Sequence, residues 1–216
     1  FKLVNSKLIT ENRDKSHIID RLDFDLKLSY AQGEKRTNTE TQMNFPKELW
    51  QTKLWLGNTP FKLRRPTEKN AATSRGQRVL LPRGKYDMAY LVVSCEKDKR
   101  VNFSMGKKTI PVFIPKWEGF IGNWDRRTFN KQKKVTKITP SFFKRSPILN
   151  FFTHTHLETG EDNPYHHAYL YLIKIPIGKA QIMRLPEDPD LKIFAITLTK
   201  GFKEELIPIT TLFDQI

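Results

Sequence analysis

Four of the five histidines fall within fourteen residues, at His154, His156, His166 and His167. In an extended strand, positions 154 and 156 share a face, so two imidazoles separated only by Thr155 can chelate one divalent ion. Glu158, Glu161 and Asp162 follow as oxygen donors, and the return of His166 or His167 on a neighbouring strand would add a third ligand. His154, His156 and His167 are therefore the candidate metal ligands. With Mg²⁺ or Mn²⁺ bound, such a site would support metal-assisted cleavage or transfer at a phosphodiester. The plainer expectation is that these imidazoles pack on sheet faces or touch phosphate and base edges.

The His154-Thr155-His156 spacing resembles the histidine-hydrophobic-histidine metal motif of rolling-circle nickases and relaxases, in which a tyrosine attacks a DNA phosphodiester. Tyr171, three residues before Lys174, is similar to the tyrosine-lysine pairing of some of them, which makes His154, His156 and Tyr171 the candidate catalytic residues. Two departures count against the resemblance. Thr155 stands where the family has a hydrophobic residue, and Tyr171 falls in a strand pattern where a helix is expected. Two other arrangements would also permit chemistry: Asp87 with Glu96 and Lys97 or Lys99 around Mg²⁺, or His17 or one of the paired histidines as a general acid and base on an RNA hydroxyl.

Charge points to a partner class more strongly than any of these points to a reaction. The chain has 38 Lys and Arg against 23 Asp and Glu, a formal net charge of +15. A polyanion is the natural partner of such a balance, nucleic acid before an anionic membrane surface. Residues 116–145 carry nine Lys/Arg against Glu118 and Asp125, interleaved with six aromatics. Cations that neutralise phosphates, with rings that stack on bases, compose the grooves that hold single strands. From this stretch Lys116, Trp117, Trp124, Arg126, Arg127, Lys131, Lys133, Lys134, Lys144 and Arg145 are expected to contact nucleic acid. A second tract, 58–85, contributes Lys62, Arg64, Arg65, Arg75, Arg78 and Arg83. Its centre, RRPTEKNAATSRGQR, offers almost nothing to bury and predicts an exposed, mobile loop.

These segments need elements to present them. A first strand is expected at 1–9, and LDFDLKLSY at 22–30 alternates strictly, the pattern of a half-buried strand. Leu49, Trp50, Lys53 and Leu54 at helical spacing, after Pro46 and before Gly57, predict a helix over 46–56. MAYLVVSCE is a continuous apolar run of the kind buried on both faces of a sheet. Strands at 100–105 and 109–114 flank a glycine turn, and more follow at 148–156, 165–177, 191–199 and 205–213. A short helix is expected around 126–133, inside an irregular insertion.

The fold expectation is therefore α+β, strand-rich and mostly antiparallel, in a single nucleic-acid-binding domain over 1–216 with basic insertions at 58–85 and 116–145. A metal-dependent nuclease or strand-transfer enzyme and a structural nucleoprotein component are the alternatives. Mean hydropathy is −0.56, no apolar run approaches the roughly 18 residues of a membrane span, and no secretory signal is apparent. The lone Cys95 can form no internal disulfide, which fits a cytoplasmic setting, or a nuclear one in a eukaryote. No glycine loop for nucleotide phosphates and no paired Cys-x-x-Cys is present.

Overall fold

The apolar runs at 88–95, 168–173 and 191–199 become the central strands of a sheet covered on both sides. The structure, a computed structural model, describes residues 16–84, 86–143 and 146–200. In chain order its strands are β1 (Ser16–Ile18), β2 (Ser29–Tyr30), β3 (Phe45–Pro46), β4 (Lys53–Leu56), β5 (Thr59–Lys62), β6 (Ala72–Arg75), β7 (Arg78–Leu80), β8 (Met88–Cys95) and β9 (Lys99–Met105). They continue with β10 (Lys108–Ile114), β11 (Gly122–Asn123), β12 (Arg126–Phe129), β13 (Val135–Thr139), β14 (Phe142–Phe143), β15 (Ile148–His156), β16 (Asp162–Pro176), β17 (Ile182–Arg184) and β18 (Glu187–Thr199).

The main sheet is antiparallel and runs β1-β18-β8-β16-β15, with β6 also paired to β18. A second antiparallel sheet, β10-β9-β17-β7, packs on one of its faces. Period-two alternation divides each central strand between two cores. Leu91 and Val93 of β8, with Tyr169, Tyr171 and Ile173 of β16, meet Val101, Phe103 and Met183 between the two sheets. Tyr90 and Val92, with Leu170 and Leu172, face the other way. There they meet Leu28, Phe45, Trp50, Leu54 and Phe61, supplied by the chain before residue 64. Being wet on neither face, β8 and the 168–173 part of β16 need no polar alternation, which is why they read as apolar runs.

The α+β expectation is overturned. Among the described residues the helical content is one 3-10 turn, Lys47–Leu49, and the architecture is a β-sandwich. The expected helix over 46–56 is that turn followed by β4, which pairs with β5 across a two-residue connection, Gly57-Asn58. Gly57 sits at φ +54°, so the glycine that looked like a helix stop is the left-handed residue of a hairpin. Pairing gave Leu54 a partner in Phe61, and tertiary burial overrode helical spacing. The helix expected around 126–133 is likewise absent, because 126–129 is strand β12.

Two further expectations change. The 22–30 stretch keeps its inward alternation at Leu26 and Leu28 but forms a ladder only at β2, with an isolated bridge from Leu26 to Ala71. The exposed, mobile loop expected at 64–78 is instead anchored in the sandwich through its middle: Asn70, Ala71, Ala72, Thr73 and Ser74 are buried. Small residues allow that close approach. The side chain of Asn70 accepts the Leu28 amide at 2.9 Å and donates to Ser29 Oγ at 2.5 Å, so its polarity is satisfied inside. The strands expected at 1–9 and 205–213 lie outside the described residues, as do Lys144 and Arg145.

Candidate cation centre and basic ribbon

Strand β15 ends in His154-Thr155-His156, and the antiparallel return of β16 sets Asp162 opposite His156. The connection between them is fixed from outside. Gly160 accepts a hydrogen bond from the Gly33 amide at 2.7 Å, and Arg36 pairs with Glu158 at 2.7 Å. From the other side the 3-10 turn brings Glu48 over the same strand. Its Oε1 lies 2.8 Å from His154 Nε2 and 3.1 Å from His156 Nε2. Asp162 Oδ1 lies 3.3 Å from His156 Nε2 and 3.8 Å from His154 Nε2. Four donor atoms thus converge within 4.8 Å of one another.

The surroundings grade these groups. His156 is buried and His154 partly so, while the Glu48 and Asp162 side chains are 43% and 44% exposed. Asp162 is braced through its second oxygen by Gln32 Nε2 at 3.3 Å. Burial opposes the charge on Glu48, but its own amide, the His154 hydrogen bond and the charge of His156 together hold its carboxyl below the ordinary glutamate value. His156 Nδ1 is buried without a hydrogen-bond partner.

The other sequence candidates are placed elsewhere. His166 bonds to Thr155 Oγ1 at 3.0 Å and approaches Glu118 at 3.2 Å. His167 donates from Nδ1 to the Thr153 carbonyl at 3.0 Å and packs on Phe151. Neither belongs to the four-atom group. Glu158 is engaged by Arg36 and Glu161 by Thr159. Tyr171 is fully buried, nine residues along β16 from Asp162, about 30 Å at strand rise. Its phenol donates to the Lys116 carbonyl at 2.9 Å, and burial raises its pKa, so it is poorly disposed to act as a nucleophile. Asp87 and Glu96 flank opposite ends of β8 and share no site, and His17 sits on β1 beside Tyr86.

The basic stretch divides into a buried root and an exposed arm. Trp117 is a core residue, 2% exposed and edge-on to Phe45 at 5.5 Å. Its amide bonds to Cys95 and its carbonyl to Tyr169, which lays residues 116–119 along the main sheet. The glycine and charges around Trp117 in sequence gave no sign of that ladder. Beyond it the chain leaves the sandwich. The two-residue pair β11–β14 leads into a ribbon, β12–β13, in which Arg127 faces Ile138 and Thr128 faces Lys137. Asn130 Oδ1 caps its turn by accepting the amides of Gln132 and Lys134, with Lys133 at φ +58°.

Every residue from 124 to 141 is exposed. Six are cations, Arg126, Arg127, Lys131, Lys133, Lys134 and Lys137, against the single carboxylate Asp125. Trp124 is 82% exposed, and Phe129, Val135 and Ile138 are exposed with it. The 58–85 tract differs, because several of its cations already have acidic neighbours. Lys62 pairs with Asp20, Arg64 with Glu68, and Arg75 with Asp25 and Glu40, as Lys116 does with Glu118. Arg65, Arg78 and Arg83 are exposed.

Glu48 is the member of the four-atom group that sequence reasoning missed. It lies 106 residues before His154, and no local pattern links the two. Among the described residues no helix is long and apolar enough to cross a membrane. A family model described as "AziU2-like beta-sandwich domain" matches residues 16–201. No curated protein matches the chain.

Proposed function

The chain belongs to the AziU2-like beta-sandwich family, and from the surface that this sandwich presents we propose that it is a binding module that holds a polyanionic strand, DNA or RNA, along the β12–β13 ribbon. The observation that carries this reading is the ribbon itself, six cations and four large apolar side chains exposed together over 124–141. A two-stranded ribbon alone is marginal in water, and clustered apolar groups left in solvent mark a surface that another molecule covers. A phosphate backbone satisfies the cations, and base faces satisfy Trp124 and Phe129. The paired cations of 58–85 are secondary in this scheme, since binding through them must first displace Asp20, Glu68, Asp25 or Glu40. Cys95 is buried, and burial raises its thiol pKa, so it is unreactive; a reducing, cytoplasmic setting is part of the same proposal.

The test is the anisotropy of labelled single-stranded RNA and DNA, measured from 50 to 200 mM salt. Six phosphate contacts give a slope of about −4 in log affinity against log salt. Arg126→Glu with Arg127→Glu flattens that slope and weakens binding while the circular dichroism stays unchanged. A wild-type protein with no salt-dependent affinity for any strand overturns the reading.

A further inference from the structure

We propose that Glu48, His154, His156 and Asp162 hold one divalent cation of the Zn²⁺ class, as a clamp that ties the 3-10 turn Lys47–Leu49 to the end of the β15–β16 hairpin. This site is independent of the ribbon and of any strand bound there.

Three observations lead to it. The first is geometric: ligands about 2.0 to 2.2 Å from a tetrahedral ion lie about 3.3 to 3.5 Å from one another. The four nitrogen-to-oxygen separations here are 2.8, 3.1, 3.3 and 3.8 Å, which bracket that value. Opening the shortest by about half an ångström asks only for a small rotation of the exposed Glu48 side chain. The second is charge: metal ligation requires both imidazoles neutral, and the two carboxylates then leave the cluster at −2, which one divalent ion balances. The third is preparation. His154 and His156 are aligned by strand periodicity, Asp162 by register, and Asp162 is held by Gln32. Sites with bound metal are oriented by such outer contacts.

The donor set selects the ion. Two imidazoles disfavour Mg²⁺ and Ca²⁺, which prefer oxygen, while two nitrogens and two carboxylates suit Zn²⁺. Four protein ligands make a closed, structural site rather than one that activates water. One feature limits the affinity: an ion on His156 Nε2 moves the ring proton to Nδ1, which is buried and has no acceptor. The site is therefore weaker than one whose two imidazoles are both braced.

The experiment is calorimetric titration of the untagged full chain with Zn²⁺, with thermal melts in parallel. The wild-type protein takes up one equivalent, and its melting temperature rises with excess ion. Glu48→Gln preserves the shape and removes one ligand. It weakens the affinity roughly a hundredfold or more, beyond the ten- to hundredfold that loss of an outer contact costs. His167→Ala, which alters a nearby imidazole outside the cluster, leaves binding unchanged. Because His156 is buried and its replacement can disturb folding, His154→Ala with Glu48→Gln is the second variant, and it abolishes both uptake and the melting shift. No stoichiometric uptake by the wild-type chain overturns the proposal. Equal affinity in Glu48→Gln overturns it too, as does a loss confined to His167→Ala.

Discussion

Gly33 and Gly160 touch through their backbones: the Gly33 amide donates to the Gly160 carbonyl at 2.7 Å, and a Cβ on Gly160 would lie 2.8 Å from Gly33 Cα and carbonyl carbon. Gly160 also sits at φ +89°, where a side chain is strained. Gly160→Ala therefore costs about 1–3 kcal/mol, read by urea denaturation. It also loosens Asp162, two residues on, so Zn²⁺ uptake weakens. Unaltered stability would mean that the 31–34 loop does not hold the hairpin tip.

The two tryptophans of the basic stretch separate cleanly. Trp117→Ala empties a core position and destabilises by about 3–5 kcal/mol. Trp124→Ala stays within about 0.5 kcal/mol of the parent but loses one stacked base, about 1–3 kcal/mol of strand affinity. Chemical denaturation and anisotropy, run on both variants, give opposite orders.

Replacing 124–141 by a short Gly-Ser connection between the β11 and β14 ends leaves the melting transition almost where it was, because those residues bury nothing in the sandwich. Strand binding disappears. A collapse of the fold would show that the ribbon supports the domain.

Lys99 bonds to Asp188 at 2.9 Å and Asp190 at 2.8 Å, tying β9 of one sheet to β18 of the other. Burial opposes the lysine charge, but the hydrogen bonds that Lys99 donates to Asp190 and Asp188 outweigh it and hold its pKa above the ordinary value. The Lys99 hydrogen bond holds Asp190 below the ordinary carboxylate range. The signs follow from linkage. The Asp190 share is present above the ordinary aspartate pKa and is lost as pH falls through the depressed one. The Lys99 share is present below the ordinary lysine pKa and is lost as pH rises through the elevated one. Lys99→Met costs about 1–3 kcal/mol between roughly pH 5 and 9, less than a fully buried pair because these side chains are 20–31% exposed. Against the parent, the difference shrinks toward both extremes of a pH series of melts.

What could be read from the chain follows from how local each signal is. The central strands announced themselves because MAYLVVSC is apolar on both faces, and the β9–β10 hairpin because Gly106 breaks two extended runs. The 46–56 region misled because Trp50 and Leu54 satisfy helical spacing equally well when they reach one core from a turn and a strand. Asn70 to Ser74 looked exposed because small polar residues read as loop, although Asn70 meets its partners 41 and 42 residues away. The pairing of His154 with His156 was legible at i, i+2, and Asp162 was in view as a donor. Glu48 was not, since only the packing of the sandwich brings it there.

Strand β18 has a consequence for how this chain is made. It sits between β8 on one side and β6 and β1 on the other, so the middle of the main sheet is among the last described segments to leave the ribosome. Until Glu187–Thr199 emerges, β8 presents an open edge of unpaired amides and apolar side chains, with more than ninety residues of later chain already waiting beside it. Such long-range closure is slow, and an uncovered edge recruits other strands. Released chains truncated before residue 187 should stay protease-sensitive and engage chaperones, and those extending past 199 should become resistant in a single step.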